Sequence, residues 1–363
     1  MNAFLVPVTW LLSVSVALAQ TAPLPAAVPQ STTAPAETNP ADDLNFSEFG
    51  DADDRKVKLF ATQKVLFLSP TKLISVGYEA QTRFDLVSVG SHNLPTSSLT
   101  PVNTLTRPVN RFGGLRLGVN APVISRSNFI LNLGLTYWNT AVGLASAEQS
   151  VLFRELSRGL RSTGVNATVF KPLDLTHFLL VQGNVDVNGT YRQFSEVSNK
   201  AVTYSGTAIY GWKRDDNFMW GLGVTRTYRA GQVLNIPVLF YNRTFNPRWG
   251  VEVIFPARAN LRRSFGTSGL LMLGYEIEGN AYFLGTMPAG QDLFLRRGEL
   301  KPRITYERKL AGFVWLSAQA GLRYNWRFNA FGTQNPVANE TALFTNTMGT
   351  APYVNVSINL VSP

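Results

Sequence analysis

The stretch VWLSAQAGLRYNWRF, residues 314–328, alternates between two kinds of side chain. Every second position from Val314 is apolar, ending in Tyr324, Trp326 and Phe328, whereas the intervening positions are mostly polar, small or cationic. Because a β-strand sends successive side chains to opposite faces, this period of two predicts a strand. Strands of globular proteins usually run about 5–6 residues. We therefore expect a strand of unusual length, with one face that must be kept from water.

The same alternation recurs along most of the chain. Examples are residues 129–138, 179–191, 218–225 and 354–360. A soluble β-sandwich also alternates, but segments of ten or more residues are long enough to cross a bilayer at a tilt. Aromatic residues near the segment ends are typical of interfacial girdles; they are Tyr137, Tyr191, Trp212, Trp220, Trp249 and Trp326. The pattern predicts an all-β protein, a single transmembrane up-and-down antiparallel β-barrel, with the apolar face toward lipid.

Two kinds of connection separate these segments. The tight ones are residues 125–128, 173–177, 215–217, 246–248 and 308–312. The long polar ones are residues 87–110, 143–159, 192–200 and 332–351. Short turns on one side and longer loops on the other are typical of barrels in the bacterial outer membrane.

The number of strands depends on two ambiguous regions. WGVEVIFPARANLRRSF, residues 249–265, reads as one bent strand or as two short ones, because Pro256 cannot donate to a ladder. Residues 56–68 are a candidate for an additional strand. Since single-chain bacterial barrels usually have an even number of strands, we expect about 12, with about 14 as the alternative.

Composition excludes several classes of protein. The 363-residue chain is 45% hydrophobic and only 15% charged, and it has no cysteine, which excludes disulfides, thiolate metal sites and lipoprotein anchors. The net charge is +10, but the basic residues are dispersed rather than clustered, so we do not expect nucleic-acid binding. Outer-membrane lipid, including lipopolysaccharide phosphates, and small anionic solutes are more plausible partners.

The N-terminus has the pattern of an exported protein. Residues 1–19 are apolar and end in a small-x-small motif, which predicts a signal peptide, although a single membrane anchor is the alternative. Residues 20–55 are rich in Pro, Ala, Thr and acids, which predicts a disordered linker. The barrel then occupies residues 56–363 in the outer membrane of a Gram-negative bacterium.

The alternation, the export signal and FNPRWGVEVIFPARANLRRSF, residues 245–265, resemble an uncharacterised outer-membrane β-barrel family of Bacteroidetes-type bacteria, a domain of unknown function. The resemblance covers about residues 70–362 and implies a location and a fold, with no activity and no site residues. One departure is the C-terminus: many such barrels end on an aromatic residue, whereas this chain ends INLVSP.

No catalytic motif is apparent. The two histidines, His92 and His177, fall in predicted connections, and no local motif joins either to a serine. We therefore predict no enzyme activity, no cofactor and no metal site. An outer-membrane lipid hydrolase stays a weaker alternative that would need one of these histidines.

The polar face of the late strands is the candidate site. With the apolar face toward lipid, a row of charges points into the lumen. It consists of Glu276, Glu278, Glu299, Lys301, Arg303, Glu307, Arg323 and Arg327, joined by Glu79, Arg83 and Asp85 on the first strand. A self-satisfying ion-pair network that fills a narrow barrel is favoured, and a water-filled passage whose charges select solutes is the alternative.

Two functions follow from these interpretations. The first is a porin-like, passive passage for small solutes or apolar compounds. The second is a non-transport structural or interaction barrel that acts through its surface loops. The sequence leaves the substrate and the oligomeric state open.

Overall fold

The computed structural model describes residues 60–91, 104–145, 147, 150–228, 231–336 and 340–362. The predicted signal peptide, the linker and His92 lie outside these residues. The helices in the described part of the chain are α1, which spans Val151–Ser157, and two short 3-10 helices at Phe194–Glu196 and Asn199–Ala201. Among the described residues, no helix combines the length and the apolar character needed to cross a membrane.

Within the described residues, sixteen strands make up one sheet, in which neighbouring strands run antiparallel apart from a single parallel contact. The first eight are β1 (Lys72–Gln81), β2 (Phe84–Gly90), β3 (Thr104–Arg126), β4 (Phe129–Leu144), β5 (Leu160–Pro172), β6 (His177–Gly189), β7 (Val202–Asp215) and β8 (Phe218–Thr227). The last eight are β9 (Leu234–Thr244), β10 (Trp249–Phe255), β11 (Arg258–Ser264), β12 (Gly269–Thr286), β13 (Asp292–Ala311), β14 (Val314–Phe331), β15 (Phe344–Met348) and β16 (Ala351–Val361).

The sheet closes into a barrel with 14 strand positions. Consecutive strands pair from β3 to β14, β14 pairs with β16, β16 pairs with β1, and β1 pairs with β3. Strands β2 and β15 pair with each other and continue the positions of β1 and β16. The up-and-down antiparallel barrel is therefore confirmed, with the alternative count of 14 rather than 12.

Residues 249–265 account for part of the difference in the count. They form two short strands, β10 and β11, which pair as a hairpin whose turn contains Pro256. Residues 60–68 contain no strand, so the expectation of a strand there was wrong. Their backbone bonds to two of the tight turns instead: the Ala61 N–H donates to Asp174 and the Leu66 N–H donates to Asp216.

Midway along the strands, the side chains on the outside of the barrel wall are apolar and those on the inside are polar. On β16, Val354, Val356, Ile358 and Leu360 are 40–55% exposed, and the Asn and Ser residues between them are buried. This is the reverse of a soluble protein, in which exposed positions are polar. Lipid is the solvent in which such a surface is stable, and closure leaves no unpaired edge in it. The barrel is therefore a transmembrane barrel.

The barrel narrows toward the long loops. Strands β10 and β11 have only seven residues each, so the C-terminal half of β12 extends beyond them. There β12 meets β6 in parallel, with Phe283 opposite Gly189, and the Thr190 N–H donates to the Phe283 carbonyl. This contact closes a smaller ring of nine strands: β12, β13, β14, β15, β2, β3, β4, β5 and β6.

An apolar core fills the nine-strand ring. Helix α1 contributes Leu152, Phe153 and Leu156, each 0% exposed, and strands around the ring contribute Leu86, Phe344 and other residues. Barrels of about eight strands are just wide enough for side chains to fill. A ring of nine strands is therefore closed by packing, whereas the 14-strand base is too wide to be filled in the same way.

Position 328 shows where simple alternation fails. Gly298 pairs with Arg327 but Glu299 pairs with Asn325, so β14 has one extra residue at Trp326. Such a bulge inverts the inside and outside positions that follow it. Phe328 is consequently 2% exposed and belongs to the apolar core rather than to the lipid-facing surface. Tyr191 is also buried, at 8% exposure, rather than part of an aromatic girdle.

The lipid-facing surface can be tested at Val356, which lies midway along β16 and is 50% exposed. We expect Val356→Arg to reduce the free energy of unfolding by about 2–4 kcal/mol, because arginine at the bilayer midplane is costly. Urea unfolding from lipid vesicles measures this change. Val356→Leu is the control and should behave like the unsubstituted protein. An arginine variant as stable as this control would contradict the membrane-facing assignment.

Candidate functional site

Seven charged side chains from five strands meet inside the barrel and form a layer that we call the charge septum. Its members are Glu79, Arg116, Glu278, Arg297, Glu299, Lys301 and Arg323. Each belongs to the inward row of its strand, and six of the seven are less than 9% exposed. The alternation of the strands therefore delivers these charges to one enclosed place.

Glu79 on β1 lies at the centre of the charge septum. Its Oε2 atom is 2.9 Å from Lys301 Nζ, and its Oε1 atom is 2.5 Å from Arg116 Nη2. Arg323 Nη2 also donates to Oε1. A carboxylate with three cationic partners tolerates burial, because charge-assisted hydrogen bonds replace its lost hydration.

Lys301 on β13 connects the other two carboxylates. Its Nζ atom lies 2.8 Å from Glu278 Oε2 and 3.7 Å from Glu299 Oε1. Glu299 in turn accepts from Arg297 Nη2 at 2.8 Å and faces Arg323 Nε at 3.1 Å. Most members of the charge septum thus have more than one partner of opposite charge.

Aromatic rings cover the faces of these cations. Phe112 has Arg297 and Arg323 over its ring at 5.1 and 5.3 Å from the centroid. Tyr353 has Lys301 and Arg323 over its ring at 5.0 and 5.3 Å. The charge septum holds four cations and three carboxylates, so the negative faces of these rings complement the excess positive charge.

The charge septum extends across the lumen rather than along one wall. Arg116 on β3 lies 3.3 Å from Glu278 on β12. Four strand positions, those of β1, β16, β14 and β13, separate β3 from β12 in the wall. Two side chains so far apart along the wall can touch only by reaching across the inside.

The structure places four of the eight predicted lumen charges in the charge septum: Glu278, Glu299, Lys301 and Arg323. Glu276 and Arg303 form a separate ion pair nearer the short turns. Glu307 pairs with Lys72, with 2.6 Å between the Oε1 and Nζ atoms.

The other predicted residues lie elsewhere. Arg327 is half-buried beyond the bulge in β14, opposite Gly298. Arg83 and Asp85, expected beside Glu79, are exposed where β1 gives way to β2. A short interruption of the strand therefore removes both from the inward row.

Two members of the charge septum, Arg116 and Arg297, were not among the lumen charges predicted from the sequence. Arg116 stands in FGGLRLG, residues 112–118, where its alternation with Leu115 and Leu117 does signal an inward position. Arg297 gave no such signal, because Arg296 precedes it and Gly298 follows it in a segment buried on both faces. Alternation identifies an inward residue only where the outward face meets lipid.

A polar chamber, which we call the vestibule, lies on the short-turn side of the charge septum. Its volume is about 790 Å³, and Asn120, Asn132, Asn166 and Gln182 are among its lining residues. Gly118, also in the lining, is two residues from Arg116 on β3. The lining of the vestibule thus comes within two residues of the charge septum along β3.

Residues 60–71, which we call the N-terminal strap, form another wall of the vestibule. Inward side chains of the barrel bind its backbone: Lys213 Nζ donates to the Lys64 carbonyl at 2.9 Å, and Thr244 Oγ1 donates to the Leu66 carbonyl at 2.6 Å. The Ser69 N–H donates to Glu252 Oε1 at 2.9 Å. The N-terminal strap is therefore held by side chains and turns rather than by strand pairing.

His177 has a structural environment. Its Nδ1 atom lies 2.7 Å from Asp174 Oδ2 in the turn before β6. Asp174 also accepts from the Thr176 and His177 backbone N–H groups, which hold the pKa of its carboxyl well below the ordinary value. The described residues contain no cluster of His, Asp and Glu that could hold a metal ion.

A family described as Domain of unknown function (DUF6268) matches residues 146–361, which is more than half of the chain. The chain belongs to this family. The match begins after β4, so β1–β4 precede the matched part of this DUF6268 member, although the resemblance drawn from the sequence began near residue 70. No curated protein matches the chain.

Solved outer-membrane proteins are similar at a low level. The toluene transporter TodX of Pseudomonas putida is 10% identical, with 82% of this chain and 92% of that chain covered and a TM-score of 0.37. A Pseudomonas aeruginosa FadL homologue is 9% identical, with 80% and 90% covered and a TM-score of 0.38. Similarity at this level carries no functional argument for the DUF6268 chain.

The charge septum can be tested through Glu79. We expect Glu79→Gln to reduce the free energy of unfolding by about 3–5 kcal/mol, because it leaves buried cations without their carboxylate. Urea unfolding from lipid vesicles gives the value. Asp85→Asn removes an exposed carboxylate six residues away and should change little. Equal effects of the two substitutions would show that the charge septum does not stabilise the barrel.

Proposed function

We propose that this DUF6268 chain is a bacterial outer-membrane protein that admits small hydrophilic solutes to the vestibule and passes them when the charge septum and the packed nine-strand ring beyond it both open. The vestibule carries the proposal. It is a chamber of about 790 Å³ on the short-turn side of a layer of ion pairs, and most of its lining residues are polar and can hydrogen-bond a hydrophilic solute.

The contacts of the charge septum support opening by exchange of partners. Glu79 contacts three cations and Lys301 contacts three carboxylates. When an ion pair of Glu79 or Lys301 separates, both of its side chains keep another partner, so rearrangement avoids leaving a bare buried charge. A layer built in this way can change shape at lower cost than a packed apolar core, whose side chains fit one arrangement.

The lining favours passage of hydrophilic solutes over passage of apolar compounds. The vestibule presents amides and hydroxyls on β3–β6, including Thr136 and Thr168, which can replace the hydration of a polar solute.

A non-transport barrel that acts through its loops is the second candidate. The observation in its favour is the apolar core of the nine-strand ring, where α1 buries Leu152, Phe153 and Leu156 completely. If this core never opens, the charge septum is a permanent filling and the function belongs to the surface.

Planar-bilayer recording separates these two candidates. We expect Glu79→Ala/Arg323→Ala to conduct more often than the unsubstituted protein, because both side chains that bridge β1 and β14 are shortened. Arg83→Ala/Asp85→Ala removes an exposed pair of charges and should leave conductance unchanged. A folded septum variant that conducts no more than this control would favour the non-transport barrel.

The charge of the vestibule predicts a preference among ions. Its described lining contains three basic residues, Lys64, Lys72 and Arg126, and no Asp or Glu. Because a basic passage concentrates anions, we expect anion selectivity in the reversal potential of the septum variant under a KCl gradient.

Lys64→Gln/Arg126→Gln, added to the septum variant, should move that reversal potential toward zero. Arg248→Gln, in a short turn outside the vestibule lining, is the matched control. Cation selectivity, or an equal shift in the control, would contradict a selective role for the vestibule.

A further inference from the structure

Two arginines on the outside of the barrel differ from those in the lumen. Arg243 on β9 and Arg263 on β11 are exposed, and their chain neighbours Thr244 and Arg262 are buried inside. Alternation therefore places both guanidinium groups on the lipid-facing surface. Neither has a carboxylate partner within the described residues, although the charge septum pairs every one of its cations.

Aromatic rings flank both guanidinium groups. Arg243 Cζ lies 5.5 Å from the Phe218 centroid and 5.4 Å from the Phe245 centroid. Arg263 Cζ lies 5.4 Å from the Trp249 centroid and 5.3 Å from the Phe265 centroid. Guanidinium groups beside two rings retain N–H donors that carboxylate or phosphate oxygens can accept.

The two arginines lie on either side of one strand. Arg243 pairs with Val251 of β10, and Arg263 pairs with Trp249 of the same strand. Two strand spacings, about 10 Å, separate β9 from β11, and the two positions are also offset by two residues along β10, so roughly 12 Å separates their backbones. Two long arginine side chains can reach one phosphate across this distance. Both arginines are next to the short turns at residues 245–248 and 265–268.

We propose that Arg243 and Arg263 bind the phosphodiester of a membrane phospholipid between them, across β10. The position decides the type of lipid. In outer-membrane barrels the short turns face the periplasm, so the site lies in the phospholipid leaflet. Lipopolysaccharide, expected from the sequence as a partner, occupies the opposite leaflet.

The exposed aromatic residues support this occupant. Trp249, Phe245 and Phe265 are 38%, 53% and 45% exposed, as suits rings at the boundary between acyl chains and headgroups. The site is independent of solute passage, because none of its residues lines the vestibule or belongs to the charge septum.

Native mass spectrometry of the full chain with added phosphatidylglycerol tests the proposal. We expect Arg243→Gln/Arg263→Gln to weaken phosphatidylglycerol binding about 10- to 30-fold, as two basic side chains at a membrane surface account for. Diacylglycerol, which has the same acyl chains and no phosphate, should bind weakly to both proteins. Heat-modifiable gel migration verifies that the variant is folded.

Arg226→Gln is the matched control, since Arg226 is an exposed arginine on β8 without a ring partner among the described residues. Its phosphatidylglycerol binding should match that of the unsubstituted protein. Equal weakening in this control, equal binding by the double variant, or equal binding of diacylglycerol would each overturn the proposal.

Photo-crosslinking in intact cells tests which leaflet supplies the lipid. A photo-crosslinking residue in place of Val251, between the two arginines, should capture glycerophospholipid. Capture of lipopolysaccharide instead would overturn the assignment to the periplasmic leaflet.

Discussion

Every charge that faces the inside of this barrel must find a partner there, and the rest of the structure depends on that constraint. The outside has to be apolar where it meets the hydrocarbon core, so the charges of the strands at that depth are directed inward. Where the barrel begins to narrow, burial of Glu79 without cations would cost several kcal/mol. The charge septum meets this requirement with carboxylates and cations from five strands. A layer that stabilises the fold is therefore also the layer that closes the lumen.

The position of that layer follows from the width of the barrel. At the short-turn end, 14 strand positions enclose more space than side chains fill, and the vestibule results. Toward the long loops, contact between β6 and β12 reduces the ring to nine strands, and an apolar core with α1 fills it. The charge septum lies where these two regimes meet. Inward residues are therefore polar in the middle of the wall and apolar toward the long loops, where side chains can pack against one another.

Much of the wall could be predicted from the sequence, because its two faces meet different solvents. Residues 314–325 and β16 alternate as expected, and the tight turns at residues 125–128 and 215–217 lie between the strands they were expected to join. The prediction fails where the outward face does not meet lipid. The bulge at Trp326 turns Phe328 inward, and Arg297 lies in a segment buried on both sides. Neither the bulge nor burial on both sides produces an alternation of polar and apolar residues that the sequence of one strand reveals.

The pairings of the charges could not be predicted at all, because they depend on closure. Glu79 and Lys301 are separated by 222 residues, and Arg116 meets Glu278 across the lumen. Glu278 lies in the part of β12 beyond its pairing with β11, where β12 approaches β6. β12 can approach β6 because the hairpin at residues 249–265 is short, with arms of only seven residues each. This is the stretch that made the strands hard to count. A full-length hairpin would hold β12 in a wider wall and keep Arg116 from Glu278. The short hairpin therefore allows the wall to narrow from 14 strand positions to nine.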